Sequence, residues 1–168
     1  MRAVLFAVKM AVARRFHTHN VLRQETLGHH SHGVAVLLHI LRPDASKELL
    51  VAALLHDLAE GEFGDLPGPT KRLLGIREQV AALEARELLD NDLPMPPLTT
   101  EETAALKFAD AAHGSLYCLE ELRRGNVDLR KPLRNFVSWL RPVLDSELEL
   151  TFYISKEAEK YEDDTNGR

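Results

Sequence analysis

Cysteine is nearly absent from this chain. Cys118 stands alone among 168 residues, so neither an internal disulfide nor a cysteine-rich zinc module can form, and a reducing compartment, the cytoplasm, is expected. Basic charge is also short: 21 Lys and Arg against 26 Asp and Glu leave a formal net charge of −5. That balance argues against a nucleic-acid polymer as partner, because neutralising a phosphate backbone requires a cationic surplus. No apolar run approaches the roughly 20 residues of a membrane span, so no membrane partner is expected. The stretch from Met1 to Val12 carries Arg2 and Lys9 and runs into Arg14 and Arg15, so it reads as a core helix rather than an anchor or leader. Aromatic residues make up only 6% of the chain, yet 45% is hydrophobic, which describes an ordinary globular core of aliphatic side chains. Internal repeats and low-complexity segments are missing. The length suits one domain, expected over residues 1–161, with 162–168 as a frayed tail.

Period-2 alternation is absent too, whereas apolar residues fall at helical spacing almost everywhere, so the expected fold is an all-α helical bundle. The predicted helices run from about Ala3 to Arg14, Thr26 to Leu41, Ser46 to Glu60 and Lys71 to Asp90. A long helix follows, opened by Thr99 or Thr100 with Glu102 as a capping pair and reaching Arg124. Two more lie near Leu129 to Leu140 and Ser146 to Tyr161. Phe16 to Arg23 is irregular, Gly61 to Pro69 is a turn-rich surface loop, and Leu93 to Leu98 is a proline-rich connector.

Histidine is concentrated instead: His17, His19, His29, His30 and His32 crowd one region, and His56 adjoins Asp57. His30 shares a helical stripe with Leu27, Val34 and Leu37, so it faces inward. His56 follows Leu49, Ala52 and Ala53 on a core face, with Glu60 one turn on. Asp110 lies between Leu106, His113 and Tyr117 on the inward stripe of the long helix. Taken singly, an inward His is most simply a hydrogen-bonded core residue, and a buried Asp the partner of an Arg such as Arg23. Taken together, two imidazoles and two carboxylates converging from three helices suit a divalent transition metal, Co, Mn, Zn or Fe, held by His30, His56, Asp57 and Asp110.

The order His, His-Asp, Asp on successive helices resembles the HD superfamily of metal phosphohydrolases. More specific are Arg15-Phe16, the run Asn20 to Thr26, His30-Ser31, His56 to Glu60, Gly64-Asp65-Leu66-Pro67 with Pro69 and Lys71, Lys107 to Ala111, and Cys118 to Leu122. These follow the pattern of bacterial 5'-deoxynucleotidases and are similar to the related phage dATP triphosphohydrolases, over about Arg15 to Asn126. Phe16 stands where tryptophan is common, His17-Thr18-His19 replaces apolar residues, and His29 stands where a glutamate usually precedes the ligand His.

The resemblance implies hydrolysis of the 5'-phosphate ester of a deoxynucleotide. In that chemistry Glu60 orients or deprotonates the attacking water and Asp65 protonates the leaving oxygen, or the two roles are exchanged. Arg15 matches phosphate oxygens in a bidentate way, Lys71 and Lys107 are further phosphate candidates, and Phe16 suits packing against deoxyribose. The expected products are deoxynucleoside and phosphate. The rival is release of triphosphate from dATP, with additional Mg accompanying the polyphosphate. A nucleotide-binding module without hydrolysis is expected to lack a ligand or the acid-base pair, and all of these residues are present. A two-metal signalling phosphodiesterase needs more histidines than His113 after His56. Glu120-Glu121 reads as a solvated helix face. The apolar faces of the last two helices, with Phe136, Trp139 and Phe152, suit either the core or contact between copies, and a homodimer or higher homo-oligomer is expected.

Overall fold

Three short polar residues set where the principal helices begin. Thr26, Ser46 and Thr99 each sit in extended backbone and accept a main-chain N–H from the first turn that follows, from His29, Leu49 and Glu102 respectively. Each such cap is worth about 1 kcal/mol. At Thr99 the Glu102 carboxylate returns the favour to the Thr99 N–H at 2.9 Å, completing a capping box.

The computed structural model describes residues 1–64 and 66–162. The helices are α1 (Arg2–Ala11), α2 (Leu27–Leu41), α3 (Lys47–Leu55), α4 (Glu60–Phe63), α5 (Gly68–Leu73), α6 (Arg77–Asp90), α7 (Thr100–Arg123), α8 (Arg130–Val137) and α9 (Asp145–Glu159), with a 3-10 turn at Val127–Leu129. Among the described residues no strand forms, and the only pairing of that kind is an isolated antiparallel bridge between Arg14 and Thr26. No helix there is long and apolar enough to cross a membrane. Of the expected tail at 162–168, all but Glu162 lies outside the described residues.

The long helix α7 is the axis of the fold, packing against α2 and α3 on one side and α8 and α9 on the other. Val34 and Leu38 of α2, Leu49 and Ala53 of α3, and Ala105 and Ala109 of α7 bury one another completely or nearly so. Burying a leucine of this kind contributes about 2 kcal/mol. A second cluster joins Phe108, Ala112, Cys118 and Leu122 of α7 to Leu133 of α8 and Ile154 of α9. Close approach of α7 and α8 needs Gly114, because a Cβ there would lie 2.6 Å from the ring of Phe136.

Several sequence expectations shift. The N-terminal helix is only half a core helix: Phe6 and Met10 are buried while Leu5, Val8 and Val12 face out. The third predicted helix stops at Leu55, and residues 56–59 turn through i to i+3 hydrogen bonds, Leu58 N–H to the Leu55 carbonyl and Glu60 N–H to that of Asp57. The fourth is two helices, because Gly75 adopts φ +66° and breaks the run. Glu121 is not solvated: it is fully buried and accepts from the Leu22 and Arg23 N–H groups at 2.6 and 2.9 Å and from the Asn126 amide at 2.8 Å. With the Tyr117 hydroxyl donating to the Arg23 carbonyl, it ties the irregular segment 20–24 to α7.

Candidate active site

Where α2, α7 and the turn after α3 meet, four potential metal ligands come together. His30 projects from the middle of α2, His56 from the C-cap of α3, Asp57 from the turn, and Asp110 from α7. One donor atom from each lies within 4.8 Å of the other three. His30 Nε2 is 3.0 Å from Asp110 Oδ1 and 3.6 Å from Asp57 Oδ2, and His56 Nε2 is 3.4 Å from Asp57 Oδ2. Metal bonds of about 2.0–2.2 Å place neighbouring donors roughly 3 Å apart, which these separations approach.

The chemistry of the donors fits a cation as well. His56 Nδ1 donates to the Ala53 carbonyl at 2.8 Å, which leaves Nε2 to face the cluster, and that atom is buried with no hydrogen-bond partner among the described residues. His30 is fully buried; burial, assisted by the Arg15 guanidinium, pushes its pKa well below the usual range, so the ring is neutral and able to ligate. Burial alone would raise the Asp57 carboxyl, but His56 and Arg15 outweigh it and hold the group ionised below its ordinary value. Side-chain exposure rises from 0% at His30 through 19% at Asp57 to 36% at Asp110, so the cluster has a sealed inner side and an open outer one.

That outer side opens into a cavity of about 570 Å³. Arg15, Phe16, Asp57, Glu60, Lys71 and Asp110 all line it. Arg15 is buried, hydrogen-bonds Asp57, and places its Nε 3.3 Å from Glu25 Oε2. Phe16 holds φ +53°, unusual for a residue with a Cβ, and its ring stacks on Tyr117 with centroids 4.8 Å apart. Glu60 opens α4 and accepts from Lys71 at 2.9 Å; Lys71 also donates to Glu84 at 3.1 Å. Burial opposes the Lys71 charge, but these two carboxylates raise its pKa overall and keep it a cation.

The remaining predicted residues part company with this group. Lys107, one turn before Asp110 on α7, is exposed and does not line the cavity. Asp65 lies outside the described residues. Sequence reasoning assigned no role to Glu25 and His113, which form the inner side, or to Lys131 and Asn135 of α8, which wall the cavity with Phe136 and Trp139. Burial pushes the Glu25 carboxyl up to about 7 against the pull of Arg15, and pushes His113 down to about 4. A signal for His113 was present in its spacing, three residues after Asp110 on one helix face.

Comparison with known proteins agrees with this geometry. A 5'-deoxynucleotidase YfbR of Salmonella typhi is 30% identical over 146 residues, covering 73% of this chain and 73% of that one. A 5'-deoxynucleotidase of Photorhabdus laumondii is 33% identical over 129 residues, covering 62% and 66%. The fold is that of the cyanophage S-2L HD phosphohydrolase DatZ, whose structure holds dA and one catalytic Zn2+ ion: TM-score 0.63, 19% identity, 93% of this chain and 96% of that one. The family signature described as 5'-deoxynucleotidase YfbR-like matches residues 4–160, and this chain belongs to that family.

Proposed function

We propose that this protein is a metal-dependent 5'-deoxynucleotidase, cleaving the 5'-phosphate ester of deoxynucleoside monophosphates to deoxynucleoside and phosphate. The observation that carries this reading is the convergence of His30, His56, Asp57 and Asp110 on one side of a cavity that Arg15 and Glu60 also line. The activity named for the family and its relatives supplies the substrate class. A divalent ion in that ligand set, Co, Mn, Zn or Fe, supplies Lewis acidity that acidifies water and polarises a phosphoryl oxygen.

The side chains divide the rest of the work. Glu60, held in place by Lys71, accepts the proton of the attacking water. Arg15 offers its guanidinium to the phosphate oxygens. The ion pairs of Lys71 with Glu60 and Glu84 favour a role through Glu60 over direct phosphate contact. Asp65, assigned from sequence, protonates the departing 5'-oxygen. Phe16 packs against the deoxyribose, where its bulk disfavours a 2'-hydroxyl. A homodimer belongs to the same proposal, with Leu148 and Phe152 of α9 offering exposed apolar surface, and light scattering tests it. A cytoplasmic location follows from the same reading.

One observation favours a second substrate. Lys131, His17 and His19 line the cavity and suit a longer phosphate chain, as in hydrolysis of dATP to deoxyadenosine and triphosphate with Mg on the polyphosphate. Metal-stripped protein resupplied with Co, Mn, Zn or Mg is assayed on deoxy- and ribonucleotides, mono- to triphosphate, beside Asp57→Ala. Phosphate from several deoxynucleoside monophosphates is the expected result, and no release from the Asp57→Ala variant. Intact triphosphate from dATP alone selects the second reading. No cleavage by either protein overturns both and leaves a nucleotide-binding module.

A further inference from the structure

His30 is enclosed, and both of its ring nitrogens have a polar neighbour. Nε2 faces Asp110 and Asp57, while Nδ1 lies 3.0 Å from Nδ1 of His113. Glu25 Oε2 also lies near Nδ1, at 4.0 Å, beyond hydrogen-bonding distance. His113 is therefore the partner that decides the protonation pattern of His30. Two nitrogens at 3.0 Å share one proton. For Nε2 of His30 to present a lone pair, its Nδ1 must donate to His113 Nδ1, and His113 must carry its own proton on Nε2.

The place that His113 occupies exists because of a glycine. Gly33 lies in the middle of α2, three residues after His30, where glycine weakens a helix relative to alanine. Its φ is not in the positive region, so the backbone does not ask for glycine. Space does: a Cβ at position 33 would lie 2.0 Å from His113 Nε2 and 2.3 Å from Cδ2. The missing methyl group and the His113 ring occupy the same volume, against the back of His30.

We infer that His113, seated in the gap left by Gly33, is a positioning residue that fixes the tautomer and orientation of the metal-ligand ring of His30. His56 receives the equivalent support from a main-chain carbonyl, that of Ala53. The two imidazole ligands are thus steadied from behind by different means, one from the backbone and one from a side chain that depends on a neighbouring glycine. This inference rests on the reading of His30 as a metal ligand.

The test is titration of metal-stripped protein with cobalt(II) alone, followed by the visible absorption of the bound ion and by competition with a chromophoric chelator, with thermal melting as a check on folding. Wild type is expected to bind one ion. His113→Phe, which fills the space without an acceptor, binds it about 10–100-fold more weakly and with an altered spectrum. His113→Asn, whose side-chain oxygen falls near the place of Nδ1, restores most of the affinity. Gly33→Ala displaces the ring without any bulky replacement and reproduces the Phe result in a protein that melts cooperatively, so the test survives if His113→Phe fails to fold. Wild-type affinity and spectrum in both His113→Phe and Gly33→Ala would overturn the inference. Two ions per chain would overturn it as well, making His113 and Glu25 ligands of a second metal. If wild type and His30→Ala bind cobalt alike, the ligand reading of His30 itself fails.

Discussion

Two buried carboxylates lie where segment 15–25 meets α7, Glu121 on the helix and Glu25 on the segment, and their surroundings treat them in opposite ways. At the C-terminal half, Glu121 accepts three hydrogen bonds, from two main-chain N–H groups and Asn126. Nearer Asp110, Glu25 faces His113, yet its Oε2 has no hydrogen-bond partner among the described residues and lies 3.3 Å from Arg15 Nε and 4.0 Å from His30 Nδ1. Burial would raise both pKa values. Donated hydrogen bonds reverse the shift at Glu121, led by that of Asn126, and at Glu25 the carboxyl stays raised, at about 7. A carboxylate whose lone pairs are filled fastens a loop. One that is left short of donors sits where arginine, histidine and a cation compete for charge.

If that division is real, damage to the site half costs catalysis and damage to the fastening half costs stability. Glu60→Gln is expected to have the largest effect, lowering kcat by about 10²–10⁴-fold while cobalt(II) affinity and melting temperature stay as in wild type, read by steady-state kinetics and calorimetry. Glu121→Gln is expected to destabilise by about 2 kcal/mol, because hydrogen bonds to an ionised acceptor are lost or weakened, with cobalt(II) affinity unchanged. In a chain of this size that lowers the melting temperature by about 4–8 °C. Its pH dependence has a definite sign. The Glu121 pKa is depressed on folding, so its stabilisation is present above the ordinary glutamate value and is lost as pH falls through the folded value. The gap between wild type and Glu121→Gln therefore narrows in acid, and a gap that widens there contradicts the assignment. Glu25→Gln is expected to be the mildest in stability, within about 1 kcal/mol by denaturant unfolding, because fewer hydrogen bonds are forfeited.

Much of this was legible in the sequence for a simple reason. His30 and Asp110 lie on regular helices, where a period of 3.6 residues reports the buried face directly, and His56 and Asp57 sit within one turn of such a helix. Glu60 was legible as a neighbour of His56 but not as the first residue of a separate short helix, because apolar spacing does not separate a continuing α-helix from the tight turn at 56–59. Glu121 was misread as solvated because its partners, Leu22 and Arg23, come from almost a hundred residues away in an irregular segment, and no local pattern carries that information. Lys71 was read for its charge alone, without the carboxylates that fold against it on either side. The wall supplied by α8 was missed for a related reason: Lys131 and Asn135 look like surface residues until α8 is laid across the mouth of the cavity.

The absent side chain at Gly114 has a consequence for how substrate range changes over time. Phe136 lines the cavity, and the Cδ1–Cε1–Cζ edge of its ring rests in the notch that Gly114 leaves on α7. A lineage that gains a methyl group at 114 pushes that ring inward and shrinks the chamber, although residue 114 itself never meets a substrate. Surveys of selectivity confined to the residues that touch the ligand overlook a determinant of this kind, because it works from behind the wall.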